Sequence, residues 1–201
     1  MKIAILVEGA TEVAFKEKLL DFLQNHLQGN MPKLWFIPQK GLIPTGNKLK
    51  RVVENLLQTA TCDAVIALTD VYTGKPDFVD SKDAKHKMRS WVGGNPRFYP
   101  CVASHDFEAW LLPYWSTIQK KSGGSFKAPI GSPESVNHND PPSYRIKAIY
   151  RQGTKREYNK ISDAKAILKE NDLMISIQAC PELKIFINCI IDLCDSTKRI
   201  P

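Results

Sequence analysis

Long apolar runs are missing from this chain. Nothing in it approaches the roughly 20 residues that a membrane-spanning helix needs, so no membrane association is expected. The start also lacks the separate charged and apolar segments of a signal sequence, because the apolar stretch Ile3–Val7 is too short. Cysteine occurs five times (Cys62, Cys101, Cys180, Cys189 and Cys194), in odd number and with no CxxC pair. That argues against a disulfide framework or a zinc ribbon and for reduced thiols in a cytoplasmic protein. Cys189 and Cys194 read as small core residues of the last helix. The four histidines, His26, His86, His105 and His138, are scattered without an HExxH motif. His105 reads either as an exposed helix cap or as an aid to proton transfer. There is no GxGxxG after the first strand and no GxSxG elbow. Gly41 and Gly46 have P-loop spacing, but Asn47-Lys48-Leu49 follows them where Lys-Ser/Thr is needed. Dinucleotide-binding and serine-hydrolase readings fall away.

What is present is a regular alternation of short apolar strands and amphipathic helices. Residues 2–7 form the first strand. Phe15, Leu19, Phe22, Leu23 and Leu27 then recur at helical spacing up to a stop at Gly29-Asn30 and Pro32. A second strand covers Leu34–Ile37, and a helical stripe runs from Leu49 to Leu57. Asp63–Asp70 reads as a third strand, Ser81–Trp91 as a helix, and Phe98–Ala103 as a fourth strand leading into a short helix over His105–Leu112. Ser116–Pro142 is rich in Gly, Ser, Pro and Asn and is expected to be irregular. Helices follow at Ile146–Tyr150, Ser162–Glu170, Leu173–Ala179 and Pro181–Leu193. The pattern predicts an α/β fold with a mostly parallel, Rossmann-like sheet covered by helices on both faces. Residues 1–115 form the α/β core. Residues 116–201 supply an irregular linker and a helical lobe packed on that core, the whole making one structural domain.

Three carboxylates fall at or just beyond strand ends: Glu8 after the first, Asp70 after the third and Glu108 after the fourth. In a parallel sheet these ends share one edge, the edge at which open α/β sheets bind ligands. Convergent carboxylates repel one another, and a hard divalent cation is the usual remedy. Magnesium, or manganese in its place, is therefore the expected cofactor, able to activate water in phosphodiester cleavage. Taken singly, Glu8 and Glu12 also suit a helix N-terminus, Asp70 a turn, and Glu108 a first helical turn beside Asp106.

The formal net charge of +7 is concentrated late in the chain. Between Tyr144 and Lys169 lie Arg145, Lys147, Arg151, Lys155, Arg156, Lys160, Lys165 and Lys169, against only Glu157 and Asp163. Such a lobe is either a solvated helix face or a grip for a polyanion.

Val7-Glu8-Gly9-Ala10-Thr11-Glu12 resembles the EGxTE opening of Toprim-like proteins, and the chain as a whole resembles the DUF4276 family within that group. The family's later segments have counterparts in Asp70-Val71-Tyr72, Asp106-Phe107-Glu108-Ala109-Trp110-Leu111-Leu112, Pro142-Ser143-Tyr144-Arg145, Tyr158-Asn159-Lys160 and Cys180-Pro181. The resemblance implies a Toprim-like fold, related to the Toprim domains of OLD-type nucleases, in which Glu8 acts in acid/base catalysis or metal binding. It also implies an Asp-x-Asp metal motif, of which Asp70 is kept and the second aspartate is replaced by Tyr72. Glu108, Asp77 or Asp80 would supply the missing carboxylate. Arg145 and Lys160 would bind phosphate or stabilise the transition state.

The expectation is thus a magnesium-dependent nuclease or phosphotransfer protein acting on DNA or RNA. Glu8 and Lys160 would be catalytic, and Glu8, Asp70 and Glu108 would hold the metal. Glu12, Tyr72 and Asp106 would support them, while Arg145, Lys155 and Arg156 bind phosphate. By analogy with its relatives the chain would work beside an ABC- or AAA-type ATPase in anti-phage defence. The competing expectation is a catalytically silent module that binds a nucleotide or an ATPase partner, which the residue Tyr72 favours.

Overall fold

The computed structural model describes residues 1–71, 78–135 and 140–201. The chain runs β1 (Lys2–Val7), α1 (Ala10–Leu27), β2 (Lys33–Pro38), α2 (Gly46–Gln58), β3 (Ala64–Val71), α3 (Ser81–Trp91) and β4 (Phe98–Ser104). A 3-10 helix at Phe107–Tyr114 leads into α4 (Trp115–Ser122), and then come α5 (Pro142–Gly153), α6 (Ser162–Lys169), α7 (Leu173–Ala179) and α8 (Pro181–Asp195). The four strands form one parallel sheet in the order β2-β1-β3-β4. The fold is α/β and Rossmann-like, as the alternation of strands and helices predicts. Among the described residues no single helix is long and apolar enough to cross a membrane.

β1 is central, and Ile3–Val7 is wholly buried. Alternate side chains of a strand point to opposite faces. Ile3, Ile5 and Val7 therefore enter a large core with α1 and the C-terminal helices, whereas Ala4 and Leu6 enter a smaller one under α2 and α3. The buried stripe of α1, Phe15, Leu19, Leu23 and Leu27, repeats every fourth residue and lies along the first of these cores. Pro142 and Pro181 open α5 and α8, positions where a missing N–H is harmless.

Two sequence expectations are corrected. The segment after β4 is a 3-10 helix, and it extends two residues beyond the expected Leu112, to Tyr114. Pro113 inside it has no N–H to donate and disfavours the α conformation at Leu112. The irregular stretch begins only after Ser122, because Trp115 and Ile118 anchor α4 in the core and Gly123, at φ 70°, ends it. The polar composition of that region hid two well-spaced apolar anchors.

The irregular stretch is itself tied down. The Glu134 carboxylate accepts the buried Trp110 indole N–H at 3.0 Å, and it also accepts the Glu182 and Leu183 backbone N–H groups at the start of α8, at 2.9 and 3.3 Å. A carboxylate there satisfies unpaired helix donors and favours the helix dipole. Glu134→Ala strands a buried indole donor and should lower the free energy of unfolding by about 1–3 kcal/mol. Urea unfolding measures this, and an unchanged midpoint would show that water replaces the carboxylate at no cost.

Candidate active site at the carboxyl edge of the sheet

The strand order reverses between β1 and β3. From β1 the chain moves outward to β2, and from β3 it moves the other way to β4. The crevice beyond such a reversal is the natural ligand position in an open parallel sheet. Glu8 stands one residue past the end of β1, directly over this gap. One of its carboxylate oxygens accepts the Asp70 backbone N–H at 3.0 Å and the Thr69 hydroxyl. The first carboxylate of the chain is thus fixed to the neighbouring strand, 62 residues on. Thr69 plays a part that the sequence analysis missed, and its only signal is that it interrupts the apolar run of β3 one residue early.

Gly9 is extended at φ −151° and ψ −162° and serves as the N-cap of α1. Glu12, on the first turn of α1, folds back until its oxygen lies 3.6 Å from where a Cβ on Gly9 would sit. It is buried, and burial raises its pKa against the opposing pull of the Glu12 and Gly9 N–H groups. Asp70 is half-buried in the last turn of β3, paired with Ala103 of β4. Burial of its carboxyl, then Glu8, Glu12, Asp106 and Glu108 in that order, lift its pKa well above the carboxylate range.

Past β4, His105 is buried with φ 68°, which corrects the expectation of an exposed helix cap. Its N–H donates to the Val71 carbonyl at 2.9 Å, carrying the β3–β4 pairing one step further. Asp106 is fully buried. One oxygen accepts the Ser143 N–H at 3.0 Å, at the N-terminus of α5, and the other has no hydrogen-bond partner among the described residues. Asp106 thereby docks α5 onto the sheet edge. Glu108 is fully buried too, with one oxygen 3.4 Å from the Lys160 ammonium and the other unpartnered among the described residues. Burial above all, and then Asp106, push its pKa up to about 7, although Lys160 pulls the other way. Burial disfavours the Lys160 charge, but Glu108, Asp106 and Asp70 outweigh it and hold the ammonium above its usual range. The buried Tyr158 hydroxyl has no hydrogen-bond partner among the described residues, and burial and Glu108 keep it protonated.

These groups face a cleft of about 440 Å³ whose lining includes Glu8, Glu12, Asp70, Glu108, Lys160 and Ile161. The residues expected to be catalytic or metal-binding, together with Glu12, therefore share one cavity, and Asp106 lies beside it. Tyr72 and Asp77 lie outside the described residues. Asp80 is drawn elsewhere, accepting the Asp83 N–H at 2.8 Å as the cap of α3. Arg145 sits on the first turn of α5, and Lys155 is exposed just beyond that helix at φ 56°. Arg156, expected to bind phosphate, instead grips Asp163 through both terminal nitrogens at 2.7 and 2.8 Å and lies 4.7 Å above the Tyr150 ring. Neither Lys155 nor Arg156 lines the cleft.

The donor chemistry suits a hard divalent cation, for Asp106 and Glu108 each keep a buried oxygen without a partner while Asp70 is crowded by like charge. Among the described residues no group of three or more acidic, histidine or cysteine side chains is already arranged to hold a metal ion. Side-chain rotation would have to complete such a site.

A family model described as a domain of unknown function, DUF4276, matches residues 7–191, from the end of β1 to well into α8. The chain belongs to the DUF4276 family. Among solved structures this DUF4276 chain is similar to the C-terminal region of the Burkholderia pseudomallei OLD protein, with a TM-score of 0.56 and 13% identity over 96% of this chain and 98% of that one. At that identity the likeness is one of fold, and it agrees with the Toprim-like relation expected from the sequence. No curated protein matches the chain in sequence.

Proposed function

We propose that this DUF4276 chain is a divalent-metal-dependent phosphodiesterase acting on nucleic acid, with Glu8, Asp70 and Glu108 as the metal-binding carboxylates. The observation that carries this reading is the cleft at the β1–β3 reversal, which Glu8, Glu12, Asp70 and Glu108 line together with Lys160, a fifth carboxylate, Asp106, lying beside it. Folding gains nothing from gathering so many acids; a cation and a phosphate would use all of them. The likeness in fold to an OLD protein region supports the same reading.

Magnesium or manganese, when bound, would supply a Lewis acid and a water of lowered pKa. The chain's own groups do the rest. Thr69 and the Asp70 N–H keep Glu8 from swinging away from the gap, so its carboxylate is held in the cleft lining. Lys160 offers three donors in the cleft lining and is held charged by its neighbours, which suits it to a non-bridging phosphate oxygen. Asp106 ties the N-terminus of α5, the helix that carries Arg145, to the segment just before Glu108.

Calorimetric titration with magnesium and with manganese is the test, on the wild type and on a Glu8→Gln, Asp70→Asn double variant. Binding at one or two sites in the wild type, lost in the variant together with cleavage of nucleic acid, is the expected result. A double variant that cleaves nucleic acid as well as the wild type does would overturn the assignment.

A second reading is favoured by the lack of a ready-made ligand group among the described residues and by Tyr72 in place of a second aspartate. In that reading the chain is a catalytically silent Toprim-like module that binds a nucleotide or an ATPase partner. A silent module binds no metal in its free state, so the same titration separates the two.

A further inference from the structure

Resting on the nucleic-acid reading above, we propose that the outward face of α5 tracks a single nucleic-acid strand, with Tyr144 stacking on an unpaired base beside the phosphate held in the cleft. α5 carries Arg145, Lys147 and Arg151 and no carboxylate in its 12 residues. Its other face, Ile146, Ile149 and Tyr150, is buried in the core, so the polar face turns away from it. Tyr144 and Arg151 stand two helical turns apart on the same side, both exposed, and close enough to interact electrostatically.

Tyr144 is 55% exposed and has no side-chain partner other than Arg151 among the described residues. A large ring left in solvent beside cations is the pairing that single-strand binders use, the cations for the backbone and the ring for a base. Its position connects it to the candidate active site. The preceding residue, Ser143, donates its N–H to Asp106 at 3.0 Å, two residues before the cleft-lining Glu108. Arg151 pairs with Glu157 at 2.6 Å, but both side chains are exposed, and such a pair yields readily to a phosphate.

The ring decides between strand types. A basic helix face alone fits a duplex or a single strand, since both present phosphates. Bases inside a duplex are stacked on one another and offer Tyr144 no face, whereas unpaired bases do. An acidic protein surface would use the cations and leave the ring idle.

The test is fluorescence anisotropy of the full chain, in EDTA so that cleavage plays no part. The probes are a labelled oligodeoxythymidine of about 15 nucleotides and a duplex of the same length. Tyr144→Ala should weaken binding of the single strand by about 5- to 100-fold and of the duplex by less than about twofold, while Tyr144→Phe retains it. Replacing Arg145 and Lys147 together by Ala should weaken both probes and flatten the salt dependence. A Tyr144→Ala variant that binds the single strand as well as the wild type does, or a wild type that prefers the duplex, overturns this inference and leaves the nucleic-acid reading standing. A wild type that binds neither probe overturns both.

Discussion

In the absence of metal, the protein should melt at a higher temperature near pH 5 than near pH 8. The cause is the acid cluster. Glu12, Asp70, Asp106 and Glu108 all have pKa values raised in the folded state, burial being the first cause in each case. For a carboxyl whose folded pKa lies above its unfolded one, the folded state holds a proton that the unfolded chain has released. Stability therefore falls as pH rises between the two values. For Glu108 the window runs from the ordinary glutamate value of 4.5 to about 7, and this one fully buried group accounts for about 3 kcal/mol across it. In a chain of this length that corresponds to a drop of about 5–10 °C in Tm. The carboxylates with lowered pKa, Asp163 among them, lose their contribution only below the ordinary carboxylate range and do not oppose the trend here. Calorimetric scans in EDTA across that range measure the effect. A Tm that is flat or rises toward pH 8 would mean that the cluster is hydrated and uncrowded.

Asp70→Asn should stabilise the metal-free protein near pH 8 and at the same time remove its response to magnesium. Asn keeps the size and shape of the side chain and removes the charge that Glu8, Glu12, Asp106 and Glu108 all oppose. Relief of that repulsion should add about 1–3 kcal/mol, a gain typical where a functional site is held against its own stability. Adding magnesium in excess should then raise the Tm of the wild type, because a ligand that binds only the folded state stabilises it, and leave the variant unmoved. The crossing of the two melting temperatures is the signature. A variant less stable than the wild type in EDTA would assign Asp70 a structural role. A variant that still responds to magnesium as the wild type does would place the metal elsewhere.

The two tests bear on each other through Lys160. Among the described residues it is the one cation in the cleft lining, and it lies 52 residues from Glu108, the carboxylate it approaches. Lys160 neutralises part of the cluster and so eases the crowding of its carboxylates.

Much of this architecture follows from local pattern alone. The strand lengths, the stripe of α1 and the position of Pro181 are periodicities and stop signals within a few residues, and they suffice for the parallel sheet and the order of its helices. They also suffice to bring Glu8 and Asp70 to one edge, since parallel strands end together. α4 escaped that reading because its anchors, Trp115 and Ile118, sit in a stretch whose composition is that of a loop. Only the tertiary structure decided the rest. Thr69 reaches Glu8 from the neighbouring strand, Ser143 of α5 meets Asp106, and Lys160 enters the cleft while Arg156, four residues earlier, turns to Asp163. These contacts depend on which strands and later helices come to lie side by side, and the charge of a side chain carries no record of which partner packing will bring to it.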